Sequence, residues 1–585
     1  MDARPGWTKR LWQKAVPPAA DWKAALPALG LSFLSGLLIR LAYRPFDWSW
    51  LAFLALVPLF WGLRRCRPLM AFWVSMVFGT MHGFYALSWA HVVDRFNPLV
   101  YAGLPFAFLW WGLHLAVGFA LIVFLARRLS PWMALLGAML VFVAVEFFRS
   151  IGKLALPLGY LGHSIGGWPQ LAQVASLAGI LPLTALIIGT NLSLMEVIAA
   201  VRAGYGQVGA ALRLGSMVAL IVAGHLYGVF AIRATEQLYT SPDAFPFRVA
   251  LIQTGIDQME KYKSYSSEDE NVRRQFQDKM FYSLMDQLRT IERDEVDVII
   301  TPESSMTNDF LDVEDHVQKQ LFGGVILREV MDVATELDAP IMVGGVDNVF
   351  ATEAGELTEN LLEGLDPTTR EFYSGNAVYG ALWLIRPGEE SVRPTADYRK
   401  IYLLPFGEAV PYLDIIPGFA ENVVQVGTFA RGEKPSPIGL MTGGEDYPRE
   451  VRLGPSICFE DLFPGLHASH VANGAQLFVN TTNDAWFDGS AGPLWHHEMA
   501  RWRSIEFRVP MVRCTNTGLT SVISPTGQVL EELPLITPAV LKPTVQLLPE
   551  PPRTLYSRIG NLFGWLSLLG AVALLLMARA TRPEV

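Results

Sequence analysis

Apolar runs of roughly 20 residues, the length that crosses a hydrocarbon layer about 30 Å thick, recur through the first 232 residues and once more near the C-terminus. Eight of them are predicted to span a membrane: 24–43, 46–63, 69–93, 99–126, 130–148, 171–200, 214–232 and 559–578. Between 233 and 558 the pattern changes. Short β-branched runs bounded by Gly, Pro, Asn or Asp predict strands at 247–254, 296–303, 340–346, 376–385, 454–460, 475–483 and 509–518. Apolar residues recurring at three and four predict helices over 267–294 and 313–337. Such alternation predicts an α/β domain whose strands are buried on both faces. The chain thus divides into a seven-helix membrane domain (1–232), an α/β domain (233–558), and an eighth helix with a C-terminal tail (559–585).

Composition sharpens this division. With 51% hydrophobic and 17% charged residues, the 585-residue chain is neither disordered nor an ordinary soluble protein, and three cysteines exclude a disulfide framework. The net charge of −9 argues against nucleic acid as a partner. Residues 233–558 hold 48 of the 55 acidic and 27 of the 46 basic residues, a net charge near −21, so the helical remainder is basic. With a cytoplasmic N-terminus, 14 Lys and Arg fall in inner segments and five (Arg40, Arg44, Arg95, Arg149, Lys153) in outer loops. That bias predicts cytoplasmic N- and C-termini and places 233–558 on the outer side. The basic stretch from Arg4 to Lys23 precedes no clean cleavage site, so the first helix is expected to be retained.

Polar residues within the helical region are expected at its edges. Glu146, Arg149, Lys153 and Glu196 are predicted to snorkel from helix ends, with headgroup contact as the alternative for Arg149 and Lys153. His82, His91, His114 and His163 lack metal-ligand spacing and are expected to be hydrogen-bonded packing residues. The Gly- and Pro-rich loop 156–170 is expected to re-enter the membrane or lie along its surface.

Chemistry is expected where apolar runs of the α/β domain meet turns. Glu303 follows VIITP; Lys400 and Glu408 lie in KIYLLPFGE; Cys458 and Glu460 lie in ICFED; NDAWF follows AQLFVNTT. Taken singly, a cysteine is more often a small buried hydrophobe and a lysine a solvated charge. Their combination, with PES at 302–304 and RWRSIEFRVPMVRCTNTG at 501–518, resembles the nitrilase, or carbon-nitrogen hydrolase, superfamily. With hydrophobic helices on both sides, nearly the full chain resembles the membrane-embedded apolipoprotein N-acyltransferase family within it. The resemblance implies a nitrilase-like α-β-β-α sandwich with a Glu303, Lys400 and Cys458 triad, and makes Glu408 and Glu460 supporting acids. Tyr262 stands where that family usually has a Trp, and the segment from Tyr262 to Glu303 is longer than usual. Glu408 is read as folding back onto Lys400 or as an exposed carboxylate. Glu460 is placed on the Cys458 side of one strand by the period of two. Tyr262, Asn376 and Trp486 are candidates for substrate contact, with packing as the alternative for Asn376 and Trp486.

No metal or cofactor is expected; adjacent His496 and His497 face different directions on a helix and make no metal pair. Cys514 is expected to be buried rather than disulfide-bonded to Cys458. The apolar stretch 410–429 reads either as core or as a membrane-touching lid. The resemblance implies an enzyme of the bacterial inner membrane with a periplasmic catalytic domain. Its acyl donor is implied to be a phospholipid, phosphatidylethanolamine, drawn from membrane lipid, and its acceptor an apolipoprotein. An amidase with water as acceptor, or a binding protein without catalysis, are the competing classes.

Overall fold

The computed structural model describes residues 19–95, 100–267, 269–305, 323–350, 376–389, 397–405, 407–409, 429–442 and 448–581. The lid or core stretch at 410–428 lies outside them. Two compact units result: one from the chain through Ile151, Ala155–Arg233 and Arg558 onward, the other from Gly152–Leu154 and Ala234–Ser557.

The first unit is helical: α1 (Ala19–Arg40), α2 (Val57–Leu63), α3 (Pro68–Leu87), α4 (Val100–Ala126), α5 (Pro131–Phe148), α6 (Leu181–Ala203) and α7 (Gln207–Tyr239). Beyond the α/β unit, Leu562–Ala580 returns to the same apolar character. Among the described residues six helices are long and apolar enough to cross a membrane, against the eight expected; at the first two expected spans the apolar helices, Ala25–Arg40 and Ser49–Leu63, are shorter. The second predicted span is broken into a 3-10 turn (Ser49–Phe53) and α2, because Pro58 sits in the first turn of α2 and supplies no N–H to continue the preceding one. The span predicted from 171 starts as a regular helix only at Leu181, after Gly179 takes a φ of +73°.

Snorkelling does not describe Glu146 and Arg149, which are 1% and 2% exposed. Glu146 accepts from Leu161 N (2.7 Å) and Thr184 Oγ1 (2.6 Å), and Arg149 donates to Leu158 O (3.0 Å) while its guanidinium lies 4.0 Å from the Trp111 ring centre. Glu196 is ion-paired to Arg213 at 2.6 Å. Residues 157–166 are buried within this unit, and side chains supply what a helix would have supplied. Besides Glu146, Thr184 accepts from Gly162 N (3.0 Å) and Tyr43 donates to Tyr160 O (2.9 Å). His82 is held between Tyr43 and Trp111 at 3.1 Å each, a packing role as the sequence indicates.

The second unit is an α-β-β-α sandwich. One sheet runs β12-β1-β2-β3-β4-β5, with β13 also on β1; the other runs β11-β10-β9-β8-β7-β6. The seven predicted strands are β1 (Phe245–Gln253), β2 (Val298–Ile300), β3 (Ile341–Phe350), β4 (Asn376–Ile385), β7 (Arg449–Ile457), β8 (Leu477–Thr482) and β9 (Met511–Thr515). The others are β5 (Tyr398–Arg399), β6 (Ile438–Thr442), β10 (Ser521–Ile523), β11 (Val529–Glu532), β12 (Ala539–Leu541) and β13 (Thr544–Leu547), most of them edge strands too short to show a period. Val249, Ile300 and Met342 of the first sheet meet Leu453, Val479 and Val512 of the second in one dry layer. Helices α8 (Gln258–Ser266), α9 (Glu270–Leu288) and α10 (Gly323–Leu337) follow β1 and β2. Leu284 and Leu288 of α9 and Val330 and Ala334 of α10 cover the outer face of the first sheet. Helices α11 (Pro464–Ala472) and α12 (Gly492–Phe507) cover the second sheet through Val471, Ala500 and Phe507. Burial on both faces explains why these strands read as continuous apolar runs.

Candidate active site

Three strand ends converge inside the α/β unit. Glu303 stands in the turn after β2, whose Ser304 has a φ of +50°. β3 passes so closely that a Cβ on Gly344 would lie 2.5 Å from Pro302 O, so only glycine fits. Lys400 follows β5, its backbone held by Gly380 O (2.8 Å) and Gly432 N (2.7 Å). Cys458 follows β7 with a φ of +52°, a left-handed setting that costs of order 1–3 kcal/mol and turns the chain sharply at the sulfur.

The Lys400 side chain is 1% exposed; its Nζ donates to Glu408 Oε1 at 2.6 Å and Glu303 Oε1 at 3.4 Å. Burial alone pulls its pKa down, but Glu408 and Glu303 outweigh it and hold the ammonium charged well above its ordinary range. Glu408 also accepts from Leu404 N at 2.9 Å, so it folds back as expected and is not a free carboxylate. Glu303 Oε2 accepts from Asn483 N at 3.1 Å. Burial and the Glu303 charge push the Cys458 thiol well above its ordinary value, against the opposing pull of Lys400. These surroundings thus favour the neutral thiol over the thiolate, the lysine charge being already shared by two carboxylates.

Glu460 corrects its expected place. β7 stops at Ile457, and Cys458–Leu462 is a 3-10 turn, because Ile457 N donates to Glu460 Oε2 (2.8 Å) and closes the chain on itself. Its carboxylate also takes Tyr398 Oη (2.7 Å), Ile401 N (2.6 Å) and Tyr402 N (2.9 Å). One carboxylate thus ties the segment carrying Lys400 to the strand end carrying Cys458. Burial raises its pKa to about 7 against these donors.

Behind the sulfur lies a buried charge network absent from the sequence reading. Arg513 of β9 donates to Asp461 (2.7 Å), Asp484 (3.0 Å) and Asn480 (2.6 Å), and Asn480 donates to Cys458 O (3.2 Å). His496 of α12 contacts Asp484 (2.7 Å) and Asp461 (3.2 Å). The signal available was that Asp461 and Asp484 sit inside the quoted motifs; their partners on α12 and β9 are visible only once folded. Burial and Arg513 lower the His496 pKa, but the two aspartates outweigh them and carry it to about 9. With an ordinary value near 6.5 in the unfolded chain, this contributes stability that is complete below about pH 6.5 and lost as pH rises through 9. His496→Gln is therefore expected to cost roughly 1–3 kcal/mol at pH 6 and distinctly less at pH 9.5. Thermal unfolding at the two pH values checks this, and equal losses would contradict it.

Cys514 is fully buried between the sheets, its Sγ 3.1 Å from Ile252 O and 3.2 Å from Ile300 O; it and Cys458 are both free thiols. Of the candidate substrate contacts, Tyr262 is an exposed position on α8, Trp486 is partly exposed in the turn Asp484–Phe487, and Asn376 opens β4 opposite Phe350.

A cysteine, a lysine and two glutamates are thus gathered where three strand ends meet between stacked sheets. Residues 248–548 match the carbon-nitrogen hydrolase model, and the chain belongs to that family. Residues 35–193 match the apolipoprotein N-acyltransferase N-terminal domain. Similar relatives named apolipoprotein N-acyltransferase include one from Geobacter metallireducens, 28% identical over 94% of both chains. Another, from Azotobacter vinelandii, is 29% identical over 87% of this chain and 88% of its own. A third, from Pseudomonas aeruginosa, is 28% identical over 95% and 96%. Saccharomyces cerevisiae Nit3, a nitrilase-superfamily structure, is 15% identical over 54% of this chain and 93% of its own, with a TM-score of 0.32.

Proposed function

We propose that this membrane enzyme moves an acyl chain from a phospholipid, through a thioester on Cys458, to the N-terminal amine of the diacylglyceryl-cysteine of an apolipoprotein. The observation that carries the reading is the meeting of Cys458 with Glu303 and Lys400 at three strand ends, in a chain whose N-terminal helices match the acyltransferase domain. Glu303 takes the thiol proton while sulfur attacks the ester carbonyl. Lys400, with backbone N–H groups after Cys458, faces the developing oxyanion. The carbonyl–oxygen bond breaks, Glu303 returns the proton to the glyceryl oxygen, and lysophospholipid leaves. In the second half, the acceptor nitrogen attacks the thioester, Glu303 accepts its proton, and the carbon–sulfur bond breaks to restore the thiol. Glu408 keeps Lys400 in place and Glu460 fixes its distance from the sulfur. Tyr262, Asn376 and Trp486 contact substrate.

Phosphatidylethanolamine serves as donor in this reading. Residues 1–232 form the membrane domain, 233–558 the periplasmic catalytic domain and 559–585 the last helix and tail. The 14-to-5 distribution of cations supports eight spans with both termini cytoplasmic. Incubation with acyl-labelled phosphatidylethanolamine tests the chemistry. Label is expected on Cys458, stable until an N-terminal diacylglyceryl-cysteine peptide is added and then transferred to it. Release of free fatty acid without peptide would show water as the acceptor and an amidase-like hydrolase instead.

A further inference from the structure

Helix α8 reaches Glu303 by two routes. Asp257 caps its N-terminus, accepting from Met259 N at 2.7 Å, which fixes where the first turn begins. Gln258 and Lys261, three residues apart, share one face and are 2% and 9% exposed. Gln258 Oε1 accepts from Asn483 Nδ2 at 2.8 Å, and Asn483 N is the donor bound to Glu303 Oε2. Lys261 Nζ donates at 2.6 Å to Ser304 O, the carbonyl of the left-handed residue next to Glu303. Lys261, Glu303, Ser304, Ser305 and Asn516 line one small cavity.

We propose that Lys261 is a positioning residue for proton transfer: it holds the Glu303–Ser304 turn in its left-handed setting and keeps a second ammonium beside the Glu303 carboxylate. This rests on Glu303 being the base of the reaction above. A left-handed non-glycine residue relaxes unless its surroundings hold it, and a 2.6 Å charge-assisted bond to its own carbonyl does so directly. Lys400 alone does not suffice, because its shorter contact goes to Glu408. Burial lowers the Lys261 pKa to about 8 while the Glu303 charge opposes it, so the two groups sense each other. Glu260, next to Lys261 on α8, is bound by Lys279 of α9 at 2.6 Å. Substrate touching exposed Tyr262, the next residue on α8, therefore pulls on the element that sets the base.

The test uses full-length protein in detergent with acyl-labelled phosphatidylethanolamine, measuring single-turnover acylation of Cys458 from pH 5.5 to 9.5. Lys261→Met is expected to lower the maximal rate about 10–100-fold, with little change in the lipid concentration for half-saturation. It should also move the acid limb to higher pH, since removing a cation favours the protonated carboxyl. Lys261→Arg keeps the charge and should hold the limb in place while recovering part of the rate, which separates positioning from a general loss of folding. A Lys261→Met protein that acylates within about twofold of wild type with an unmoved acid limb, while Glu303→Gln is inactive, overturns the proposal alone. Normal acylation by Glu303→Gln would overturn the assignment of the base and this proposal together.

Discussion

Cys458→Ala is expected to abolish acyl-enzyme formation, with transfer to the peptide falling by at least about 10⁴-fold, as when an obligatory nucleophile is removed. The side chain is small and partly exposed at a strand end, so its loss leaves a folded protein in which only the chemistry is gone. Cys458→Ser is the sharper version. The hydroxyl occupies the same place, but a carboxylate within hydrogen-bonding reach of Lys400 is too weak a base to deprotonate an alcohol. The mass of the intact protein after incubation with phospholipid reports the result: wild type gains one acyl group, and neither variant does. An alanine variant that still transfers label would show that the amine attacks the ester directly, and the thioester scheme would fall.

Lys400→Met is the second large effect, and it acts on both chemistry and fold. The residue is enclosed, and two carboxylates lie within 3.4 Å of its nitrogen. Removing it takes away the charge facing the oxyanion, an effect of about 10²–10³-fold on acylation. It also leaves Glu303 and Glu408, whose side chains are 16% and 20% exposed, without the ammonium they share, which costs up to about 3–5 kcal/mol. Single-turnover acylation and thermal unfolding, read on the same preparation, measure the two losses. Glu408→Gln divides them, because it removes the excess charge while leaving Lys400 to Glu303. If Lys400→Met acylates within tenfold of wild type, the lysine has no part in stabilising the transition state.

Glu303 and Cys458 stood out as candidates because each ends an apolar run, where a sandwich brings strand ends together, whereas Lys400 precedes one. The central strands were legible for the same reason: Val298–Ile300 and Leu477–Thr482 are buried on both faces and admit little but β-branched and apolar residues. What was missed follows a different physics. Glu460 reads as a strand residue until Ile457 N is seen to close a turn on its carboxylate. Asp461 and Asp484 owe their burial to Arg513 and His496, which are distant in sequence, so no local pattern reveals the pairing. Glu146 and Arg149 look like helix-end charges because the buried loop that employs them has no period of its own. Gln258 and Lys261 have helical spacing, but their partners, Asn483 and the turn after β2, are 225 and 43 residues away.

The two-sheet construction also sets the order in which Cys458 and its charged neighbours come together during synthesis. Cys458 belongs to one sheet, while Glu303 and Lys400 belong to the other, which is completed only by β12 and β13 near the end of the domain. A chain emerging residue by residue thus has Glu303 and Lys400 in hand before Cys458, and gains β12 and β13 after all three. Docking of these last two strands on β1 is therefore the step that completes the sheet carrying Glu303 and Lys400.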